Sequence, residues 1–331
     1  MLGSVPRAAA QPAQNFYAGK QITLLCGAAV GGGYDAHARL LARHLGRFIP
    51  GNPTITVQNQ PAAGSLVAAN YIYNTAPKDG TVIALIERGM LTAKLTNPAQ
   101  VRFDLARLSW IGNLAAEVGV ALAWRTAPHK TAKDLFEKEL IVGAHAGTEP
   151  ELTPLLYNAL LGTKFKVITG YNSTAEIALA MERGEISGIG DWSWSSVKQQ
   201  RPQWIRDGSI TLLLQSGLRR DPELPDVPNA LDFAKTESDR QVLELFLTQK
   251  TVARPVIAPP GVPGERIAIL RAALVALAQD PGFLADAQQS NLEVALMPGE
   301  EVENIVGRIA LPSHDLVERY AKAFAGSGPG R

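Results

Sequence analysis

The chain has 331 residues and a single cysteine, Cys26, so no internal disulfide can form. Cys26 sits in an apolar stretch and reads as a small buried hydrophobe. Charge of one sign is lacking too. There are 32 Lys and Arg against 31 Asp and Glu, a formal net charge of +1, which offers neither nucleic acid nor a membrane surface a basic patch. No apolar run approaches the roughly 18 residues of a spanning helix. No Gly-x-Ser-x-Gly elbow, Cys–His pairing or His-Glu-x-x-His motif occurs, and the five histidines, His37, His44, His129, His145 and His314, are scattered. We therefore expect no catalytic residue, no metal and no cofactor. His37 and His44 read as surface or capping residues. Residues 1–15 are rich in Ala, Gln and Pro and read as a disordered tail, with no signal peptide in the sequence as given. Gly326–Arg331 reads as frayed.

Two short segments stand out against these absences. One runs Leu24-Leu25-Cys26-Gly27-Ala28-Ala29-Val30-Gly31-Gly32-Gly33-Tyr34-Asp35, and the other Val57-Gln58-Asn59-Gln60-Pro61-Ala62-Ala63-Gly64-Ser65. Each reads as strand, small-residue loop, helix. Glycine lets the backbone approach a ligand closely, and a helix N-terminus behind such a loop offers free N–H groups and a positive dipole end. Neither loop is a Walker A or a Gly-x-Gly-x-x-Gly motif. Together they suggest a cradle for a small anion.

The surrounding pattern alternates. Strands are expected at Ile22–Cys26, Thr54–Gln58 and Thr81–Ile86, with helices at Ala36–Phe48 and Ser65–Asn74, which argues for parallel βαβ units. Arg39, Arg43 and Arg47 share one helix face at four-residue spacing. A second unit follows. Its strands are Leu140–Ala144, Lys166–Thr169 and Ile186–Gly190, and its helices open with capping boxes at Thr148/Glu151 and Ser173/Glu176 and end at Gly162 and Gly184. The last third is mostly helical, with Gly264–Gln279 and a helix through Val302, Ile305 and Ile309 closed by Pro312. Thr251–Ala258 reads as a strand that crosses between lobes.

In parallel α/β sheets ligands collect beyond the C-terminal strand ends. If the two units face each other, four helix N-termini converge on one cleft, at Gly32-Gly33, Ser65, Gly147-Thr148 and Tyr171-Asn172-Ser173. A capping Thr or Ser by itself satisfies its own helix. Asp191 follows its strand and either caps the next helix or accepts hydrogen bonds from a ligand. Trp192 and Trp194 either wall a pocket or pack between lobes. Arg88 either grips a carboxylate bidentately, pairs with Glu87, or lies in solvent.

In their order along residues 20 to 310, these segments resemble the Bug family, the periplasmic solute receptors of tripartite tricarboxylate transporters. Further similar stretches are Ala76-Pro77-Lys78-Asp79-Gly80-Thr81, Arg183-Gly184-Glu185-Ile186, Leu224-Pro225-Asp226-Val227-Pro228 and Ala258-Pro259-Pro260-Gly261-Val262-Pro263. The resemblance implies an α/β, two-lobed Venus-flytrap fold, each lobe a parallel-rich sheet flanked by helices. Lobe one would be 16–120 with 251–331, and lobe two 121–250. It implies a monomeric periplasmic receptor, without catalysis, that binds a small organic acid and delivers it to membrane transporter subunits. The ligand would be held by loops matching Gly32, Gly33, Tyr34 and Asp35, and Ala62, Ala63, Gly64 and Ser65. The second lobe would offer loops matching Gly147 and Thr148, and Tyr171, Asn172 and Ser173, with an acid at Asp191. Ala62 stands where the family has glycine, Gln60 where it often has arginine, and Tyr171-Asn172-Ser173 where it has Tyr-Lys-Gly. Asp191-Trp192-Ser193-Trp194 is unusually aromatic. On this reading Asp191 and Trp192 choose the ligand without serving the fold. The alternatives are a sensing subunit of a signalling system, or an enzyme acting on a carboxylate, for which Asp35, Glu87 and Asp191 are the candidate acids.

Overall fold

The structure, a computed structural model, describes residues 16–309 and 313–325. The expected N-terminal tail, the frayed C-terminus and the helix stop at Pro312 lie outside the described residues.

The first half opens as its periodicity predicts. Strand β1 (Gln21–Cys26) leads into helix α1 (Gly33–His44), then β2 (Thr54–Asn59), α2 (Leu66–Asn74) and β3 (Val82–Leu85). β1 lies between β2 and β3, parallel to both. Their apolar side chains, with Leu40 and Leu41 of α1, form a dry core. Cys26 is part of it, and burial pushes its thiol up to about 12. The helix expected over Ala36–Phe48 ends at His44 and tightens into a 3-10 turn at Leu45–Phe48, so Arg39 and Arg43 lie on α1 and Arg47 beyond it. Arg39 pairs with Asp35, Arg43 with Asp286 and Arg47 with Asp280. His37, in contrast, is buried, its Nδ1 2.8 Å from the Gly33 carbonyl. Burial, with Arg254 nearby, lowers its pKa to about 4.

The chain then adds β4 (Ser109–Asn113) to this sheet and passes to β5 (Gly119–Trp124), β6 (Leu140–Ala144), α3 (Glu149–Leu161), β7 (Phe165–Thr169), α4 (Thr174–Glu182), β8 (Gly188–Ser193), α5 (Trp194–Gln200) and β9 (Ile210–Ser216). After helix α6 (Glu237–Thr248) it returns through a short 3-10 turn at Gln249–Val252 to β10 (Pro255–Ala258). Next come α7 (Gly264–Leu277), α8 (Pro281–Gln289), β11 (Met297–Pro298), α9 (Gly299–Ile309) and α10 (His314–Ala325). The six-stranded sheet is ordered β11-β4-β10-β3-β1-β2 and the five-stranded sheet β7-β6-β8-β5-β9. Each contains a parallel trio extended by antiparallel strands.

Sequence pattern misses β4, β5 and β9. They join antiparallel and carry none of the strand–loop–helix punctuation that marks a βαβ unit. β8 also runs past its expected end at Gly190, so Asp191 and Trp192 are strand residues and Asp191 caps no helix. The box at Thr148 does not form. The Thr148 hydroxyl donates back to the His145 carbonyl at 2.7 Å, and Glu151 accepts from Gly147 N–H. At α4, Ser173 does accept from Glu176 N–H, while Glu176 turns to Asn172 N–H. Helix α10, which the sequence reading groups with the first lobe, packs Tyr320 and Phe324 into the core beneath the second sheet. No single described helix is long and apolar enough to cross a membrane.

Candidate functional site

Between the two sheets lies a cavity of about 90 Å³. Three helices present their first turns to it: α1 through Gly32, Gly33 and Tyr34, α3 through Thr148, Glu149 and Pro150, and α4 through Ser173 and Thr174, with Asn172 just ahead. The N-caps of α1 and α3 carry no side-chain cap, which leaves N–H groups for a ligand. Gly33 is required here. A Cβ there would lie 2.5 Å from Ser196 Oγ on the opposite lobe.

The two first-lobe loops play different parts. Asp35 does not reach the cavity. It is buried and accepts from Gly31 N–H at 3.0 Å, Arg39 Nε at 2.9 Å and Asn59 Nδ2 at 2.8 Å. It thus ties the glycine loop to β2. Arg39, Gly31 and Asn59 together outweigh the burial that acts to raise its carboxyl, and hold it below the usual range. Of the second loop only Pro61 lines the cavity. Ala62 and Ala63 are exposed. Ser65, in the left-handed region at φ 76°, is buried and accepts from Glu87 N–H at 3.1 Å. Gly64 has φ +58°, and a Cβ there would come within 2.9 Å of the Gly147 carbonyl and 3.0 Å of Thr148 Cγ2. Gly64 and Gly147 therefore meet each other across the lobes. Tyr171 also lies outside the cavity lining. Three of the four expected helix N-termini converge, and that of α2 does not.

The charges carry most of the geometry. Arg88, just beyond β3, is buried and clamps Glu149 of the second lobe through Nε at 2.7 Å and through Nη2. Its Nη1 donates to Ser193 at 3.2 Å, and its N–H donates to the Tyr34 hydroxyl at 3.1 Å. Lys250 bridges Glu149 at 3.0 Å and Asp191 at 2.7 Å. Arg254 pairs with Glu117 at 2.8 Å and lies 4.3 Å over the Tyr34 ring, while Ser195 donates to the same Glu117. Burial acts to raise the Glu149 carboxyl, but Arg88 and Lys250 overcome it and hold the group down at about 2. Asp191 goes the other way. Burial raises it, Lys250 opposes, and the neighbouring Glu149 adds to the rise. His145 also lines the cavity, and burial lowers its imidazole to about 4, leaving it neutral near pH 7.

Asp191 and Trp192 both line the cavity and both serve the fold. Asp191 is fully buried, and its Oδ2 is taken by Lys250 and Thr153. Trp192 packs edge-on against Trp204 in a core beneath the second sheet. A purely ligand-choosing role, without a part in stability, does not fit either residue. Sequence reasoning overlooked Glu149, Glu117, Lys250 and Arg254. Glu149 was masked by its place in an apparent capping box. The signal for the two cations was charge set immediately before an apolar, β-branched strand. Among the described residues no group of three or more His, Cys, Asp or Glu side chains is placed to hold a metal.

No family model matches the chain. It is 23% identical over 331 residues to the "UPF0065 protein in gbd 5'region" of Cupriavidus necator, covering 96% of this chain and 93% of that protein. The periplasmic binding protein BugD superposes with a TM-score of 0.74 at 20% identity, over 93% of this chain and 98% of BugD. The chain has the Bug-type fold. A second solved structure with this Bug-type fold, MatC from Rhodopseudomonas palustris with bound malate, superposes with a TM-score of 0.69 at 19% identity, over 92% of this chain and 98% of MatC.

Proposed function

We propose that this protein is an extracytoplasmic solute receptor of the Bug family that binds a small organic carboxylate between its lobes. The observation that carries the reading is the convergence of three helix N-termini, from both lobes, on one small cavity. Such N–H groups and dipole ends stabilise an anion without net positive charge on the chain. The malate-bound relative of the same fold supports the ligand class. On this reading the ligand meets Gly32, Gly33 and Tyr34 from one lobe and Thr148, Asn172 and Ser173 from the other. The chain works in the periplasm as a monomer and hands its ligand to the membrane subunits of a tripartite tricarboxylate-type transporter. The two lobes hinge at 114–118 and 249–254, and no catalytic step is assigned.

A thermal-shift screen of mono-, di- and tricarboxylates, with and without chelator, tests this. At least one acid should raise the melting temperature, and chelator should leave that shift unchanged. Silence across the panel, or shifts that vanish with chelator, would sink the reading.

A further inference from the structure

We infer that Glu87 is the specificity-determining residue of the cleft, and that the preferred ligand is a carboxylate bearing an amine, a zwitterion whose ammonium group meets Glu87. The inference rests on the carboxylate-receptor reading and names the class of ligand within it.

Three carboxylates line the cavity: Glu87, Glu149 and Asp191. Glu149 is held by Arg88 and Lys250. Asp191 gives its Oδ2 to Lys250 and Thr153, while its Oδ1, turned to Gly119 of β5, has no donor among the described residues. Glu87, half-buried at the first-lobe wall, has no donor to its carboxylate among the described residues. Its backbone is nonetheless fixed, since its N–H donates to Ser65 Oγ and its carbonyl accepts from Met90 N–H at 3.0 Å. The main chain that carries this side chain is therefore held at a set place on the cavity wall.

The cations tell the complementary story. Arg88 and Arg254 both line the cavity and are already paired, with Glu149 and Glu117. Among the described residues the cavity thus offers an anion neutral N–H donors and no unpaired cation, while of its three acids Glu87 alone has no donor to its carboxylate. A dianion would find no free cation for its second charge and would face Glu87, and like charges at close range are disfavoured. A zwitterion places its carboxylate at the helix N-termini and its ammonium on Glu87, matching both.

The groups around Glu87 are Arg88 beside it, Tyr34 from α1, His145 and Glu149 from the loop and first turn of α3, Asp191 from β8 and Arg254 from the crossing segment. Burial, opposed by Arg88 and reinforced by Glu149, lifts the Glu87 carboxyl to about 7. An ammonium ligand should bind its ionised form. Affinity then rises with pH through that value, and binding below it releases a proton. A plain anion would show the reverse, gaining affinity as Glu87 takes up a proton.

Titration calorimetry of the full chain decides between these. The probes are 2-aminobutyrate, 4-aminobutyrate, butyrate and succinate, together with every acid from the thermal-shift panel that binds and its amino analogue. Measurements run from about pH 6 to about pH 8.5 in two buffers of different ionisation heat. We expect an amino acid to bind at least about tenfold more tightly than its matched plain acid, with affinity rising with pH. Glu87→Gln, which removes no internal contact, should abolish that preference while keeping the plain acids bound. Plain acids binding as tightly as their amino analogues, affinity falling as pH rises, or an unchanged preference in Glu87→Gln would each overturn the inference while leaving the carboxylate reading intact. Absence of binding by every acid and analogue would remove that reading and this inference together.

Discussion

Two sets of three cations in this molecule differ in almost every physical respect. Arg39 and Arg43 of α1 and Arg47 of the 3-10 turn that follows it (Leu45–Phe48) have side chains 47%, 50% and 47% exposed. Arg88, Lys250 and Arg254 sit between the lobes with side chains 5%, 1% and 1% exposed. Arg43 and Arg47 meet aspartates that are themselves partly exposed, where a pair contributes about 0–1 kcal/mol and is screened by salt. Arg39 reaches from solvent to the buried Asp35. Each cation between the lobes meets carboxylates that burial would otherwise strand. Removing one partner there leaves an unmatched charge in a poorly solvated place. The first set is regular and of little energetic consequence. The second is irregular in sequence and should hold the lobes in register.

Lys250→Met should produce the largest effect, because it takes the one cation shared by Glu149 and Asp191. We expect a loss of roughly 3–5 kcal/mol in urea denaturation, shrinking as pH falls and Asp191 takes up a proton. A loss no larger than that of a surface arginine would erase the distinction between the sets.

Arg88→Met should come next, since Glu149 keeps Lys250. Combined with Glu149→Gln in a double-mutant cycle, it should show a coupling of about 2 kcal/mol. Small-angle scattering should show the single variant more open than the parent. An additive cycle, or an unchanged radius of gyration, would argue against a link across the lobes.

Glu87→Gln sharpens the comparison from the acid side. The carboxyl rises from 4.5 to about 7 on folding, so the folded chain binds more protons than the unfolded chain between those values. The parent therefore loses stability as pH rises from 4.5 to 7, and the glutamine variant does not. Its advantage should be absent in acid and approach about 3 kcal/mol above neutrality. Melting curves at both ends of that range test it. Equal differences at both pH values would place Glu87 in solvent.

Arg43→Ala should have the smallest effect, under about 1 kcal/mol, and what there is should fade with added salt. His44 still holds Asp286 at 2.7 Å in its absence. A salt-insensitive loss of several kcal/mol would place this arginine with the buried set.

The contrast also marks how far the sequence could be read. The arginine spacing, the β1–β2–β3 trio and the left-handed helix stops at Gly162 and Gly184 all follow from residues within a few positions of one another. Periodicity and capping are local signals, and local chemistry decides them. The small-residue loop before α1 was legible as a place of close approach, and Gly32 and Gly33 do line the cavity between the lobes. Asp35, Gly64 and Ser65 were not legible in their actual roles. Asp35 is claimed by Gly31, Arg39 and Asn59, Gly64 faces Gly147, and Ser65 holds Glu87 N–H. No feature of the loop itself records those partners.

By itself, then, the sequence determined the two α/β units, their parallel cores and the placing of helix N-termini behind small-residue loops, because each depends on neighbours along the chain. Only the tertiary structure decided which carboxylates are free. Arg88 and Glu149 are 61 residues apart, Lys250 and Glu149 101, and Lys250 and Asp191 59. A buried charge is satisfied by whatever lies within hydrogen-bond reach once the lobes meet. The meeting of the lobes ties Arg88 to Glu149. Asp191 meets Thr153 within the second lobe and Lys250 of the crossing segment, and Glu87 is left at the cavity wall with no donor to its carboxylate among the described residues.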